Sequence, residues 1–104
     1  MSVLDLNMSQ AQFADAIGHQ AIPVSTSVVQ MTVPAGANGA LVQVLSNTVR
    51  VTIDGTTPTA SVGVAFADKD VFYLYGDGNL SSFKSIRESA DATIQVIYFS
   101  IMIR

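Results

Sequence analysis

The segment ATIQVIYFSIMI, residues 92–103, contains the longest apolar stretch of the chain, residues 94–103. It has the length of a β-strand, and it is too short for a membrane span, which needs about 20 apolar residues. Alternate residues of a strand point to opposite faces of a sheet. One face of this strand carries Ile94, Val96, Tyr98 and Ser100, a composition that suits packing on an ordinary core.

The opposite face of the same strand becomes wholly apolar from Ile97 onward. An antiparallel sheet with one face on the core does not need apolar residues on the other face. An uncovered strand of this kind promotes aggregation, so the pattern predicts a second cover. Either the N-terminal part of the same chain or a neighbouring subunit would provide this cover. The predicted interface residues are Phe13, Ile17, Ile97, Phe99, Ile101 and Ile103.

Shorter strands are predicted upstream, separated by Gly, Pro, Asn and Asp. The predicted strands cover residues 27–33, 40–46, 49–53, 61–66, 70–76 and 92–103, with an ambiguous piece at 81–89. In residues 49–53 the alternation places Val49, Val51 and Ile53 inward. Six to eight short strands at this spacing predict an all-β protein, an antiparallel β-sandwich of jelly-roll or immunoglobulin-like type.

The first part of the chain has a different pattern. Ser9 and Gln12 have the spacing of a capping box, apolar residues follow at helical spacing, and Gly18 provides a C-terminal stop. The sequence therefore predicts an N-terminal arm over residues 1–22 with a short helix, followed by a β-sandwich domain over residues 23–104. Because so short a helix is marginal alone in water, it must dock on its own domain or on a neighbour. The alternative is a loosely ordered tail.

A polar loop, DGTTP, follows the strand at residues 49–53. Asp54 and Gly55 favour a turn, because glycine tolerates a positive φ. Pro58 lacks a backbone donor and holds Thr57 in an extended conformation. The loop therefore cannot continue the strand, and we expect it to lead to the other sheet or across an end of the sandwich.

The composition restricts the partners. Charged residues make up only 12% of the chain, about half of the usual ~25%. A chain with so few charged residues is expected to bury part of its surface against partners. We therefore predict a homo-oligomer. The net charge is −3 and the five basic residues are dispersed, which argues against nucleic acid. No membrane partner is predicted, the first residues lack a secretory signal pattern, and the absence of cysteine excludes disulfides.

No catalytic, cofactor-binding or metal-binding site is predicted. His19 is the only histidine, and its place after Gly18 suits a cation at a helix C-terminus. Asp68, Asp70 and Asp77 lack the spacing of a calcium-binding loop, so they are interpreted as solvated loop charges. The serines occur without a nucleophile-elbow motif. We therefore predict a protein that is not an enzyme and needs no cofactor or metal.

The second half of the chain resembles small β-rich structural proteins of tailed bacteriophage virions. The shared pattern is a strand ending in a DGT-P-TA turn, a glycine-bounded segment, a stretch similar to FKSIR, and a last strand that reads apolar-x-apolar-x-Tyr. The matching residues are Asp54, Gly55, Thr56, Pro58, Thr59, Ala60, Gly63, Leu80, Phe83, Ile86, Arg87, Ile94, Val96 and Tyr98.

This resemblance implies a capsid decoration (cement) protein that binds the capsid lattice in the virion after assembly in the host cytoplasm. Its partners would be the major capsid protein or other virion proteins, and a trimer would match three-fold lattice positions. The alternative is a carbohydrate- or receptor-binding sandwich of a fibre or neck component, with sugars stacked on aromatic residues. The candidates for that platform are Tyr73, Tyr75, Tyr98 and Phe99.

Overall fold

Two antiparallel sheets of four and three strands face each other across one apolar core. A computed structural model describes residues 12–103 of the chain and the side chains of residues 14–102. The elements are β1 (Gln12–Val24), β2 (Gly39–Leu45), β3 (Val49–Thr52), β4 (Val64–Phe66), β5 (Val71–Tyr75), α1 (Asp77–Ser82), β6 (Lys84–Arg87) and β7 (Ala92–Ile103). The strand order is β1-β7-β2-β5 in one sheet and β4-β3-β6 in the other. The predicted all-β sandwich is confirmed.

Strand β7 lies in the middle of the four-stranded sheet and pairs with both β1 and β2. Its inward residues Ile94, Val96 and Tyr98 are at most 1% exposed, as the alternation predicted. The pairing with β2 ends where Gly39 meets Phe99, while the pairing with β1 continues to the end of β7. Residues 12–15 and 100–103 therefore form a two-stranded ribbon that extends beyond the sheet; we call it the terminal ribbon.

The predicted N-terminal helix is wrong over its described part. Residues 12–24 form strand β1, which pairs antiparallel with β7. The pairing continues past residue 22, where the predicted arm was expected to end. Ile22 and Val24 belong to the core. A capping box contributes only about 1 kcal/mol, whereas this segment gains a ladder of backbone hydrogen bonds along a central strand. Ser9, the predicted N-cap, lies outside the described residues.

The segment at residues 27–33 also differs from its prediction. Only Val29 forms a β-bridge, with Ser85. The alternation itself is correct, because Val29, Met31 and Val33 pack on the core while Val28 is exposed. Side chains therefore follow the predicted period although the backbone forms no regular ladder.

The DGTTP loop returns the chain to the same sheet, because β3 and β4 are antiparallel neighbours. The expected crossing to the other sheet or across an end of the sandwich is therefore wrong. The turn itself forms as predicted: the backbone N–H of Thr56 donates to Asp54 Oδ1 at 3.0 Å, and Gly55 has a φ of 93°. Ile53, predicted to point inward, is 37% exposed because the ladder ends at Thr52.

Candidate functional site

The side of the four-stranded sheet that faces away from the core carries a continuous apolar surface. Strand register defines its members, because residues directly opposite each other on paired strands share a face. Leu41 pairs with both Ile97 and Tyr73, and Gly39 pairs with both Phe99 and Tyr75. We call this surface the outer face and define it by the side chains of Leu41, Tyr73, Tyr75, Ile97, Phe99 and Ile101.

Charge is missing from the outer face and its surroundings. The outward positions of β2 and β5 are Gly39, Leu41, Gln43 and Leu45, and Val71, Tyr73 and Tyr75. Those of β7 from residue 93 to 101 are Thr93, Gln95, Ile97, Phe99 and Ile101, and the β1 residues beside them are Pro23, Ala21, His19, Ala16 and Ala14. None of these residues is Asp, Glu, Lys or Arg. A solvated sheet face normally carries polar and charged side chains.

The outer face is only partly covered by the described part of the chain. Leu41, Ile97 and Ile101 are half-buried, and Tyr75 is 51% exposed. Phe99 is 3% exposed, yet it lies outside the core cluster between the sheets. The protein therefore has a second apolar layer on the side of the sheet that faces away from its core.

Asn38 and Gly39, at the start of β2, position the end of β7, and neither was predicted from the sequence. A Cβ on Gly39 would lie 2.5 Å from Ile101 Cδ1, so the absence of a side chain lets Ile101 lie across β2. Asn38 then binds the backbone of Ile101 on both sides, donating from Nδ2 to its carbonyl at 3.0 Å and accepting its N–H at Oδ1 at 2.8 Å. In the sequence, Asn38 and Gly39 had only the pattern of a turn.

The structure brings together three of the six predicted interface residues, Ile97, Phe99 and Ile101. Ile17 lies at a bulge of β1, between Ala16 and Gly18, and is 39% exposed. The backbones of Phe13 and Ile103 belong to the terminal ribbon, and their side chains lie outside the described residues. Because the predicted helix is not formed, the cover that it was expected to provide is not available over residues 12–18. The interface itself stays a prediction.

An open groove lies at one edge of the sandwich, between β4 of the small sheet and β5 of the large one. Its volume is about 490 Å³, and its lining is mostly apolar. The rings of Phe66 and Phe72 stack at a centroid distance of 4.1 Å and connect the two sheets there. Val62 and Val64 border the groove and are 44% and 62% exposed.

The ionisable residues that were considered as candidates in the sequence lie on a strand or in hydrogen-bonded loops. His19 is exposed on β1, not at a helix end. Asp68 and Asp70 accept hydrogen bonds from the backbone N–H groups of Ser46 and Ala67. Among the described residues no group of three or more His, Asp or Glu side chains could hold a metal ion.

Among the residues that the structure describes, three pKa values are displaced from their ordinary range. Burial raises the pKa of Tyr98 to about 12, and its hydroxyl donates to Gln20 Oε1 at 2.6 Å. The pKa of Tyr75 is raised by burial and by the neighbouring Tyr73. Hydrogen bonds from Thr56 lower the pKa of Asp54 in its turn. Each shift has a cause in packing or in turn geometry.

No protein-family model, curated protein or solved structure matches the chain. Within residues 12–103, no helix has the length and apolar character that crossing a membrane would require. The two apolar surfaces, the outer face and the groove, are the features of the described residues that bear on function.

Proposed function

We propose that this protein is a non-enzymatic structural protein that forms homo-oligomers by burying its outer face against another copy. The observation that carries the proposal is the outer face itself: three neighbouring strands present apolar side chains outward without a single charged residue. Burying apolar surface contributes about 25 cal/mol per Å², less the cost of association. The low charge of the whole chain supports the same proposal.

We further propose a virion as the setting, with the protein as a capsid decoration protein bound to the major capsid protein. This step rests on the resemblance of residues 54–98 to structural proteins of tailed phages. A trimer fits such a role, because it can occupy three-fold lattice positions. Finding the chain in purified virions, in a copy number related to that of the capsid protein, would support this setting, and its absence from virions would exclude it.

The substitution Ile97→Asp tests self-association. Ile97 is half-buried on the outer face and outside the core cluster, so the variant should fold. A charge placed in the contact would be desolvated without a partner, and we expect a dissociation constant at least about 100-fold higher, equivalent to about 3 kcal/mol. Sedimentation equilibrium should give an oligomer for the unaltered chain and a lower mass for the variant.

Val28→Asp is the matched control, because Val28 is 37% exposed and lies outside the paired strands of the outer face. It should leave the mass unchanged. A monomeric unaltered chain, or an Ile97→Asp variant that keeps the oligomer mass, would contradict the proposal. A lowered melting temperature with an unchanged mass would indicate that residues of the same chain cover the outer face.

The second candidate function is glycan or receptor binding, and the tyrosines of β5 favour it. The rings of Tyr73 and Tyr75 are nearly parallel, at 8°, with centroids 6.1 Å apart. Such a pair can stack on the apolar face of a sugar ring. In a glycan-array screen, Tyr75→Ala should abolish a signal that Ile97→Asp retains. Absence of any glycan signal from the unaltered chain would exclude the sugar-binding form of this candidate.

A further inference from the structure

The three-stranded sheet has one protected edge and one open edge. Beside β6, the backbone of Val29 exchanges two hydrogen bonds with Ser85, and Arg87 donates to the carbonyl of Ser25. The segment 25–29 therefore covers that edge. At the other edge, β4 is an outer strand whose one neighbour within residues 12–103 is β3. The small sheet is thus one strand narrower than the sheet it faces, and its open side is β4.

The groove is lined by β3, the turn that follows it, β4 and β5, so it opens between the two sheets on the side of β4. Val64 pairs with the core residue Val51 and so faces the groove, yet it is 62% exposed. Phe72 and Leu74 form the opposite wall on β5. A free strand edge with apolar side chains favours the addition of an extended segment, which gains backbone hydrogen bonds and places alternate side chains in the groove.

The N-terminal residues have the sequence that this groove requires. In MSVLDLNMSQA, residues 1–11, the apolar Leu4, Leu6 and Met8 alternate with Asp5, Asn7 and Ser9. An added strand with this pattern would bury one face and leave the other in solvent. We propose that residues 1–11 of a second copy add as a strand to the free edge of β4, with Leu4, Leu6 and Met8 in the groove.

The position of Gln12 favours a second copy over the same chain. It lies at the tip of the terminal ribbon, four residues beyond the level of Tyr75, and β1 and β5 are opposite edges of their sheet. The distance from Gln12 to the groove has two perpendicular components, about 13 Å along the ribbon and about 14 Å across three strand spacings. Together they give a direct distance of about 20 Å. At ~3.3 Å per residue this takes about six residues. Leu6 and Met8 would be used in the crossing and could not enter their own groove.

The absence of cysteine from the chain permits a direct test. A full-length Val64→Cys chain would be mixed with full-length chains carrying Leu4→Cys, Leu6→Cys or Met8→Cys, one of the two carrying a mass tag, and the mixtures oxidised. Opposed residues on paired strands come within disulfide range. We expect at least one mixture to give a disulfide-linked heterodimer at least about tenfold in excess of its controls. Mass spectrometry would measure the yield.

Two controls separate the added strand from chance collisions. Asp5→Cys belongs to the same segment but to its other face, and Val28→Cys replaces Val64→Cys at an exposed apolar residue outside the groove. Equal yields in the controls, or no heterodimer at all, would overturn the proposal. So would an intrachain disulfide in a Leu6→Cys, Val64→Cys double variant without heterodimers in the mixtures. The proposed strand does not contact Ile97, so we expect the same mixtures in an Ile97→Asp background to keep their yield. A yield lost in that background would show that association through the outer face brings the cysteines together, and it would overturn the proposal.

Discussion

Phe83→Ala is expected to lower the free energy of unfolding by about 3–5 kcal/mol. Phe83 is 0% exposed and belongs to the core cluster, at the point where α1 ends and β6 begins. Removal of the ring loses its transfer free energy and leaves a cavity between the sheets. A domain of this size has about 5–15 kcal/mol of stability in total, so the variant should unfold at a much lower denaturant concentration.

Denaturant unfolding followed by circular dichroism would measure this change. Phe83→Leu, which keeps most of the volume, should cost less than about 1.5 kcal/mol. Tyr75→Ala, at a residue that is 51% exposed, should change stability far less than Phe83→Ala. A loss below about 1 kcal/mol for Phe83→Ala would show that the site does not carry the packing described.

Gly63→Ala is expected to produce the second large loss, about 2–5 kcal/mol. Gly63 has a φ of 122°, and a Cβ there would lie 3.1 Å from both the backbone N and the backbone O of Val51. Strand β3 would have to move, and with it the Arg50 side chain, which donates to the Gly63 carbonyl at 3.1 Å and contacts Glu88 at 2.6 Å.

Two other glycines separate the causes of this loss. Gly55 also has a positive φ, 93°, but nothing lies within 4 Å of its added Cβ, so Gly55→Ala measures backbone strain alone. Gly78 lies in α1, also has nothing within 4 Å, and has no positive φ, so Gly78→Ala should be neutral or slightly stabilising. The loss of unfolding free energy should follow the order Gly63→Ala, Gly55→Ala, Gly78→Ala. Equal losses for Gly63→Ala and Gly55→Ala would show that contact with β3 is unimportant.

The sequence predicted most reliably where side-chain alternation and backbone pairing coincide. Strand β7 has the bounds of its predicted strand, residues 92–103, and every second residue from Ala92 to Tyr98 is buried in the core. Strand β1 was missed because its apolar residues are few and partly replaced by alanine. Its conformation comes from pairing with β7, a contact between segments about 80 residues apart that no local pattern records.

The candidate surfaces were only half predictable. The apolar second side of β7 was visible in Ile97, Phe99 and Ile101, but their continuation onto Leu41 and Tyr73 depends on strand order. The groove results from the different widths of the two sheets, which residues 61–66 do not indicate by themselves. Asn38 acts through hydrogen bonds to a strand more than 60 residues away, so its sequence neighbours gave no signal.

The inner position of strand β7 has a consequence for how the protein is made. The four-stranded sheet has β7 as an inner strand, between β1 and β2, yet β7 is the last of its strands to be synthesised. Until residues 92–103 leave the ribosome, β1 and β2 have no partner between them, and the four-stranded sheet cannot be completed. Such non-local pairing also makes folding slow compared with helical domains. The nascent chain therefore exposes unpaired strand edges until β7 emerges, the period in which a chaperone would protect it.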